Sequence, residues 1–491
     1  MAKYALLFTI GGVQDFIASA RKINDLWAGS YMLSYLIARG IKSLPEQNEL
    51  IFPSKENPLL KKEYDESILK NSLPNKFMAK IETDDIQKIA STVEKTIKET
   101  YISLKPEDIR NKFQEQDNWL DIYWVACEVN NETDSQLQSK LGKKLALVKT
   151  FRSTKTTNSS EEGFKCTLCG NRSTLDNAKI NSQWYNANLK DNEKLCSVCA
   201  TKRMLKTTIL DKHNINDNNR YGISTQDIGD SQYYSIIVAD GDRMGEKMSS
   251  GEPAKISSQL INFSNNIWNI SSFAENISNK KIINSKLIYC GGDDVLCLSP
   301  IRKTLDTANE IQLKFKELFD KNSTMSAGIH ISHGKESLGL ALDNARKAEK
   351  QSKDSDRNCF TISVDKRAGD FVSWTAPWSK IEDLKVVIEY FEKGILSPSF
   401  AFQLKDEFFG FEKEIDTNME DAIKKRISYQ LNRHYDEKKE KEINATEQGE
   451  KYSKEVLLSV LKTFSFKTIK EIKDFFYFLE ITLFFARTQK K

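Results

Sequence analysis

Two adjacent acids behind a pair of glycines form the segment of this sequence best suited to chemistry. It reads Tyr289-Cys290-Gly291-Gly292-Asp293-Asp294-Val295. Gly291 and Gly292 allow a tight, open turn where a phosphate can approach the backbone. Asp293 and Asp294 repel each other between apolar strands, a poor arrangement for stability unless a cation offsets it. Mg2+ or Mn2+ held by carboxylate and phosphate oxygens would do so. Taken alone, the segment also reads as a plain hairpin with ordinary turn residues. A further acid follows the apolar run Ile236-Ile237-Val238-Ala239, which leads into Asp240-Gly241-Asp242. Beside the hairpin, Asp240 would share two metal ions with Asp293, one on an attacking hydroxyl and one on leaving phosphates. Gly241 supplies a carbonyl or room. Asp242 is either part of the site or the N-cap of the next helix. Cations for phosphate occur in Ala345-Arg346-Lys347-Ala348-Glu349-Lys350. Lys350 is the preferred triphosphate contact, with Arg346 on the same helix; a solvated helix face is the plainer reading.

Four of the eight cysteines form two C-x-x-C pairs, Cys166/Cys169 and Cys196/Cys199. Two such pairs far apart in sequence suit one closed, structural Zn2+ site. Redox dithiols are the alternative, disfavoured because neither pair opens a helix in a thioredoxin-like unit. Cys127, Cys290, Cys297 and Cys359 sit singly in apolar runs and read as small buried hydrophobes.

These residues need elements to position them. Tyr4–Ile10 is a strand pattern, Gly11-Gly12 a turn, and Val13–Ile41 helical. Short strands at Leu50–Pro53 and Lys76–Ile81, a helix over Asp84–Tyr101 and a strand over Ile122–Val129 complete a βαββαβ order. Residues 131–219 turn polar and read as a zinc module with loose flanks, including Ser153–Gly163. The order then repeats: strand Tyr233–Ala239, helix Ile256–Ile277, strands Lys286–Cys290 and Val295–Leu298, helix Leu305–Phe319, strand Met325–Ile331. A helix over Leu338–Gln351 and a strand over Cys359–Val364 follow. Beyond about residue 370 only helical patterns are expected, among them Ile381–Ile395 and Tyr452–Phe464, with the charged run Tyr435–Lys451 as a solvated loop. The fold class is therefore α+β: two ferredoxin-like domains, an inserted zinc-binding module and a C-terminal helical domain. The expected units are 1–130, 131–219, 220–370 and 371–491.

Composition excludes several classes. With 73 Lys plus Arg against 69 Asp plus Glu, the net charge is +4, so any nucleic-acid contact rests on local patches. Met1–Ile10 lacks a signal-peptide cleavage pattern. Phe475–Ala486 is interrupted by Glu480 and too short to span a bilayer, which points to the cytoplasm and no membrane partner.

Together these segments resemble a known family, the large Palm-domain subunit of type III CRISPR effector complexes, and most closely its Cmr (III-B) branch. The resemblance is carried by Gly11-Gly-Val-Gln-Asp-Phe-Ile-Ala-Ser-Ala-Arg-Lys22, Asp25-Leu-Trp-Ala-Gly-Ser-Tyr31, Leu73-Pro-Asn-Lys-Phe-Met-Ala79, Asp240-Gly-Asp-Arg-Met-Gly245 and Gly291-Gly-Asp-Asp294. With the zinc cysteines it covers most of residues 1–365. It implies that the two ferredoxin-like domains are palm domains of the GGDEF/cyclase type. It further implies that the second palm binds metal and ATP, and that pairing of crRNA with target RNA switches on synthesis of an adenylate second messenger, cyclic oligoadenylate or another AMP conjugate. By position, Asp240, Asp293 and Asp294 are the implied catalytic and metal set, with Gly241, Gly291, Gly292, Lys350 and Arg346 around the nucleotide. Other Cmr subunits are implied partners, and a downstream effector acts through the messenger.

The first palm resembles the degenerate partner, since no acid closes Tyr4–Ile10. Arg21, Lys22 and Trp27 there face RNA or nucleotide, or else Leu26 and Trp27 are core. Many relatives begin with an HD-type nuclease domain. None of His213, His330, His333 and His434 is followed by Asp, so no DNase activity is expected. The competing function is a non-catalytic scaffold of the crRNA-guided complex. A stand-alone diguanylate cyclase is a third reading, predicting GTP preference and homodimers.

Overall fold

The computed structural model describes residues 1–61, 69–70, 72–110, 119–151, 164–175, 193–213, 225–229, 231–273, 277–278, 281–282, 284–319, 322–366, 371–408, 419–447 and 451–489. The expected Ser153–Gly163 flank lies outside them.

Strand β1 (Ala2–Ile10) sends Leu6, Phe8 and Ile10 to one face and Ala5 and Leu7 to the other, the two-residue period of a sheet buried on both sides. Helices α1 (Val13–Ala18) and α2 (Ile23–Lys42) follow, then β2 (Glu49–Phe52), β3 (Lys76–Thr83), α3 (Ile86–Leu104) and β4 (Ile122–Glu128). The sheet order β2-β3-β1-β4, antiparallel throughout, is the ferredoxin-like arrangement. The single helix expected over 13–41 is two helices. The Asp25 carboxylate accepts the backbone N–H groups of Arg21 (3.1 Å) and Lys22 (3.0 Å), and Lys22 is extended, so the chain restarts its helix there.

Two helices stand among the described residues of the polar stretch after 131. Helix α4 (Asp134–Thr150) starts at a capping box in which Thr133 and Gln136 bond each other's backbone N–H. Leu137, Leu141 and Leu145 then form one stripe on the outer face of the first sheet. Helix α5 (Ser197–Lys212) begins at Cys196, its N-cap. The second cysteine pair thus opens a helix, here as one half of the four-cysteine cluster rather than in a thioredoxin-like unit.

The second palm has β5 (Tyr233–Gly241), α6 (Met244–Ser250), α7 (Pro253–Ile267), β6 (Lys286–Gly291), β7 (Asp294–Pro300), α8 (Thr304–Leu318) and β8 (Met325–His333). α7 stops ten residues short of the expected Ile277. Glu310 of α8 captures the following segment, accepting from Ser271 Oγ (2.5 Å) and Ser272 N (3.1 Å). Helix α9 (Leu338–Asp354), β9 (Cys359–Asp365) and β10 (Phe371–Pro377) extend the sheet to the order β10-β9-β8-β5-β7-β6, with β9 parallel to β8. Strand β10 contradicts the expectation of helices alone after 370. Val372, Trp374 and Ala376 alternate inward, a strand period legible in the sequence but overlooked.

The C-terminal region is helical: α10 (Ile381–Lys393), α11 (Ser399–Phe408), α12 (Met419–His434), α13 (Glu437–Thr446), α14 (Lys454–Lys462) and α15 (Ile469–Gln489). The run expected as a loop carries α13, capped by Asp436 on the N–H groups of Lys438 and Lys439. None of its residues is buried; Glu and Lys are good helix formers, and they keep it in water.

One apolar core joins the palms. Leu6, Phe8 and Ile10 of the first sheet share it with Leu36, Val198, Ile236, Leu298 and Ala341. Helices α2, α5 and α9 therefore lie between the two sheets. The far face of the second sheet packs on α7, α8 and the C-terminal helices. Among the described residues no helix is long and apolar enough to cross a membrane.

Candidate active site and zinc centre

The hairpin β6–β7 turns through two residues, Gly292 and Asp293, between the paired Gly291 and Asp294. Gly292 has φ +75, while Asp293 is not among the positive-φ residues, the pattern of a II′ turn with glycine first. Strand β5 lies next to β7 in a register that pairs Ala239 with Val295. The next residue along, Asp240, therefore reaches the hairpin tip. A Cβ on Gly241 would lie 3.0 Å from Asp293 Cβ, so the two turns touch.

The carboxyls feel each other strongly. Asp294 hydrogen-bonds Asp240, and surrounding protein followed by that contact raises its pKa well above the carboxylate range. Asp293 is pushed up to about 7, first by desolvation and then by Asp240, with Lys76 and Lys353 pulling it back. By surface area Asp294 is open to solvent and Asp293 half-buried. The pair therefore lies on the floor of a recess that water enters, and carboxylate repulsion carries more of the shift there than in a sealed core.

One cation stands directly in this site, and it is not the expected one. Lys353 Nζ pairs with Asp240 and, at 2.7 Å, with Glu349. Burial opposes its charge, but Asp240 and then Glu349 outweigh this and hold the ammonium above the ordinary lysine range. Lys350, the expected contact, is exposed. Lys350 and Lys353 are three residues apart and differ in facing by only about 60°, so helical periodicity does not choose between them; the approach of α9 to the sheet does. Arg346 lies toward the first palm, its Nη1 donating to Gln14 O (3.5 Å), with Asp294 among the charges acting on it.

Helix α9 approaches the sheet closely because of one glycine. A Cβ on Gly328 of β8 would lie 2.1 Å from Glu349 N and 2.2 Å from Ala345 O. No other residue type fits there, and the contact brings Glu349 and Lys353 to the strand ends.

The other expected residues separate by role. Asp242 is buried and saturated: it accepts from Ser326 Oγ (2.7 Å), Thr324 Oγ1 (2.7 Å) and Asn358 N (3.0 Å). It is no N-cap, since Arg243 holds that position before α6; it fixes the end of β5. Gly291 is required by its own strand, because a Cβ there would strike the Tyr289 ring at 2.2 Å or less. Gly241 is closed in by Met244, Phe315 and Asp293. Gly292 alone of the three faces open space. In the first palm, Leu26 is core and Arg21 exposed. Trp27 is half-buried, stacked on Tyr31 at 4.8 Å and donating to Leu69 O.

The four cysteines meet. Their sulfurs all lie within 4.8 Å of one another, with Cys169 and Cys196 at 3.9 Å. A tetrahedron of Zn–S bonds of about 2.3 Å has S···S edges of about 3.8 Å, so the donor set fits Zn2+ with no vacant position. Hydrogen bonds among the thiols, those with Cys166 first, drive Cys169 well down and Cys196 and Cys199 up; four thiolates cannot coexist at this spacing without a cation. Among the described residues this is the one group bringing three or more ligand atoms so close together. The three acids are more spread, with Lys353 seated on Asp240.

Comparison with known proteins bears on the fold and the family. The family model for the second palm domain of Cas10/Cmr2 matches residues 233–361, and that for the N-terminal part of the CRISPR-associated protein Cmr2 matches 5–105. The CRISPR system Cmr subunit Cmr2 of Pyrococcus furiosus is 23% identical over an alignment of 607 residues, covering 86% of this chain and 68% of the relative. A type III-B Cmr-beta structure in its apo state shares the fold at TM-score 0.59 and 13% identity, over 88% of this chain and 77% of that one. Cmr-beta bound to cognate target RNA gives 0.56 at 12% identity, over 88% and 78%. A Csm1–Csm4 cassette in complex with cA3 gives 0.52 at 12% identity, over 98% and 69%. With one family model on each palm and a Cmr2 relative spanning most of its length, the chain belongs to the Cas10/Cmr2 family, on its Cmr (III-B) branch.

Proposed function

We propose that this chain is a target-RNA-activated nucleotidyltransferase that converts ATP to an adenylate second messenger, cyclic oligoadenylate or another AMP conjugate. The observation that carries the reading is the convergence of Asp240, Asp293 and Asp294 at one strand-end recess, two of them with pKa values raised by burial and by the neighbouring Asp240. Mg2+ or Mn2+ bound by these acids would lower the pKa of an attacking 3′-hydroxyl and offset charge on the phosphates. The hydroxyl attacks the α-phosphate, a 3′–5′ phosphodiester forms, the α–β anhydride breaks and pyrophosphate leaves. Asp240 and Asp293 orient the reacting groups, open Gly292 lets phosphate approach the backbone, and Lys353 and Arg346 offer positive charge. Lys350, exposed on the same helix, is an outer contact at most.

The cysteine cluster holds structural Zn2+. The structures determined with cognate target RNA, with cA3 and with Csm4 support target RNA and other Cmr subunits as partners; crRNA as the guide and a cytoplasmic location complete the proposal. A downstream effector would read the messenger.

A second reading, a non-catalytic scaffold subunit, is favoured by the seating of Lys353 on Asp240 and by the spread of the acids. The deciding experiment incubates the assembled complex with ATP, Mg2+ or Mn2+ and matched target RNA. Products are identified by mass spectrometry beside the Asp293→Ala/Asp294→Ala variant. An RNA-dependent adenylate, lost at least about a thousandfold in the variant while RNA binding persists, supports the enzyme. Equal products from both proteins sink the acid assignment, and no nucleotide binding by either favours the scaffold.

A further inference from the structure

Helix α5 leaves the cysteine cluster and drives two cations into the first palm. Lys202 follows Cys199 by one turn and is fully buried. Its Nζ donates to Phe16 O (2.7 Å) and to Ser19 O, and lies 4.8 Å from the centre of the Phe16 ring. These carbonyls belong to the end of α1, where a helix leaves its last acceptors unpaired. Arg203 is buried between Asp25 and Glu193, bonding Asp25 through Nε and Nη2 and Glu193 through Nη1 (3.0 Å). Asp25 in turn accepts the N–H groups of Arg21 and Lys22. The link between α1 and α2 is therefore clamped twice: on a carbonyl by Lys202, and on its amides by Arg203 acting through Asp25.

Helix α1 also lies along α9. At its end, Ala18 O is 2.9 Å from the Cβ position of Gly339; at its start, Gln14 O accepts from Arg346. About two turns beyond Arg346, α9 brings Lys353 to Asp240. We propose that Lys202 is a positioning residue: by fastening α1 to the cysteine-bearing helix it sets α9, and with it Arg346 and Lys353, at the nucleotide recess. The zinc module would then hold the geometry of a site on the other palm. The consequence for nucleotide rests on the function proposed above; the mechanical coupling does not.

The test uses the full chain with Lys202→Met, which keeps the apolar stem and removes the donors. Bound zinc is counted, hydrogen exchange is followed in peptides spanning 13–22 and 338–353, and affinity for an ATP analogue with Mg2+ is measured. With zinc retained, exchange is expected to rise about tenfold in both peptides, analogue affinity to fall about tenfold, and Lys202→Arg to recover part of both. Faster exchange confined to 13–22, with 338–353 and affinity unchanged, overturns the proposal. If Lys202→Met loses zinc or fails to fold, Gly339→Ala pushes on the same contact from α9. Faster exchange in 13–22 with 197–212 unchanged supports the coupling, and no change in 13–22 overturns it. A wild-type complex that makes no product defeats the proposed reaction, yet the exchange result still decides the coupling.

Discussion

The two palms share a strand order and differ in what lies at the strand ends. In the first, β1 runs into Gly11-Gly12, and β2 and β3 are joined across residues 53–75. In the second, β5 runs into Asp240, and β6 and β7 are joined by two residues that place Asp293 and Asp294 beside it. The larger difference is the extension after the last strand of the common core. β4 is an edge strand with partly exposed residues, whereas β8 is buried along its whole length beneath α9 and beside β9. That extension supplies Glu349, Lys353 and Arg346. A shared scaffold thus says little about chemistry; the acids and the helix that brings a cation to them separate the two units.

The comparison breaks first at Gly328. Its Cβ position is filled by backbone atoms of α9 that have no side-chain freedom to move aside. Gly328→Ala is expected to destabilise the chain by about 3 kcal/mol and to remove nucleotide binding by lifting Lys353 from Asp240. Urea unfolding and analogue titration check this; native stability with normal binding would show that the close approach is not required.

His330 sharpens the contrast at the centre of β8. It is fully buried, its Nδ1 is paired with Ser363 Oγ (2.9 Å), and its Nε2 has no hydrogen-bond partner among the described residues. Burial, followed by the Lys347 charge, lowers its pKa from 6.5 to about 4. The folded state therefore resists a proton that the unfolded chain accepts. Stability from this group is full above pH 6.5 and is lost as pH falls toward 4, by about 3 kcal/mol. His330→Gln should flatten that part of the pH profile between 7 and 5. A parallel profile for the variant would assign acid sensitivity elsewhere.

How much of this was legible follows the same division. Strand periodicity and the Gly-Gly-Asp-Asp turn give both palm cores and the acids, because alternation and turn chemistry are local. The four cysteines are legible for the same reason: their spacing is the signal. Lys353 was not legible, because which lysine of a helix meets Asp240 depends on how closely α9 sits, and that is set by Gly328 on another strand. Arg203 with Asp25 and Glu193 was hidden likewise. Charged residues read as surface until a fold brings them together. β10 was missed for a lesser reason, a strand pattern placed after the expected end of the sheet.

Lys353 and Lys350 test that point directly. Lys353→Met is expected to lower the rate of nucleotide turnover about tenfold or more, and Lys350→Met less than about twofold, measured as initial rates on the RNA-activated complex. The reverse ranking would return the phosphate contact to the exposed lysine and leave Lys353 a purely structural partner of Asp240.

The smallest effect comes from the first palm's outer layer, at Gly142 of α4. No atom lies within 4 Å of its Cβ position, and its φ is not in the left-handed region. It sits inside a helix, where glycine costs about 1 kcal/mol relative to alanine through backbone entropy. The change that damages β8 should here stabilise: Gly142→Ala is expected to raise unfolding free energy by about 0.5–1 kcal/mol with turnover unchanged. Differential urea unfolding of the two glycine variants, made side by side, measures the contrast in one experiment. A loss of stability at Gly142 would mean that a further segment or partner packs on this face of α4, since among the described residues nothing stands in the way of the added methyl group.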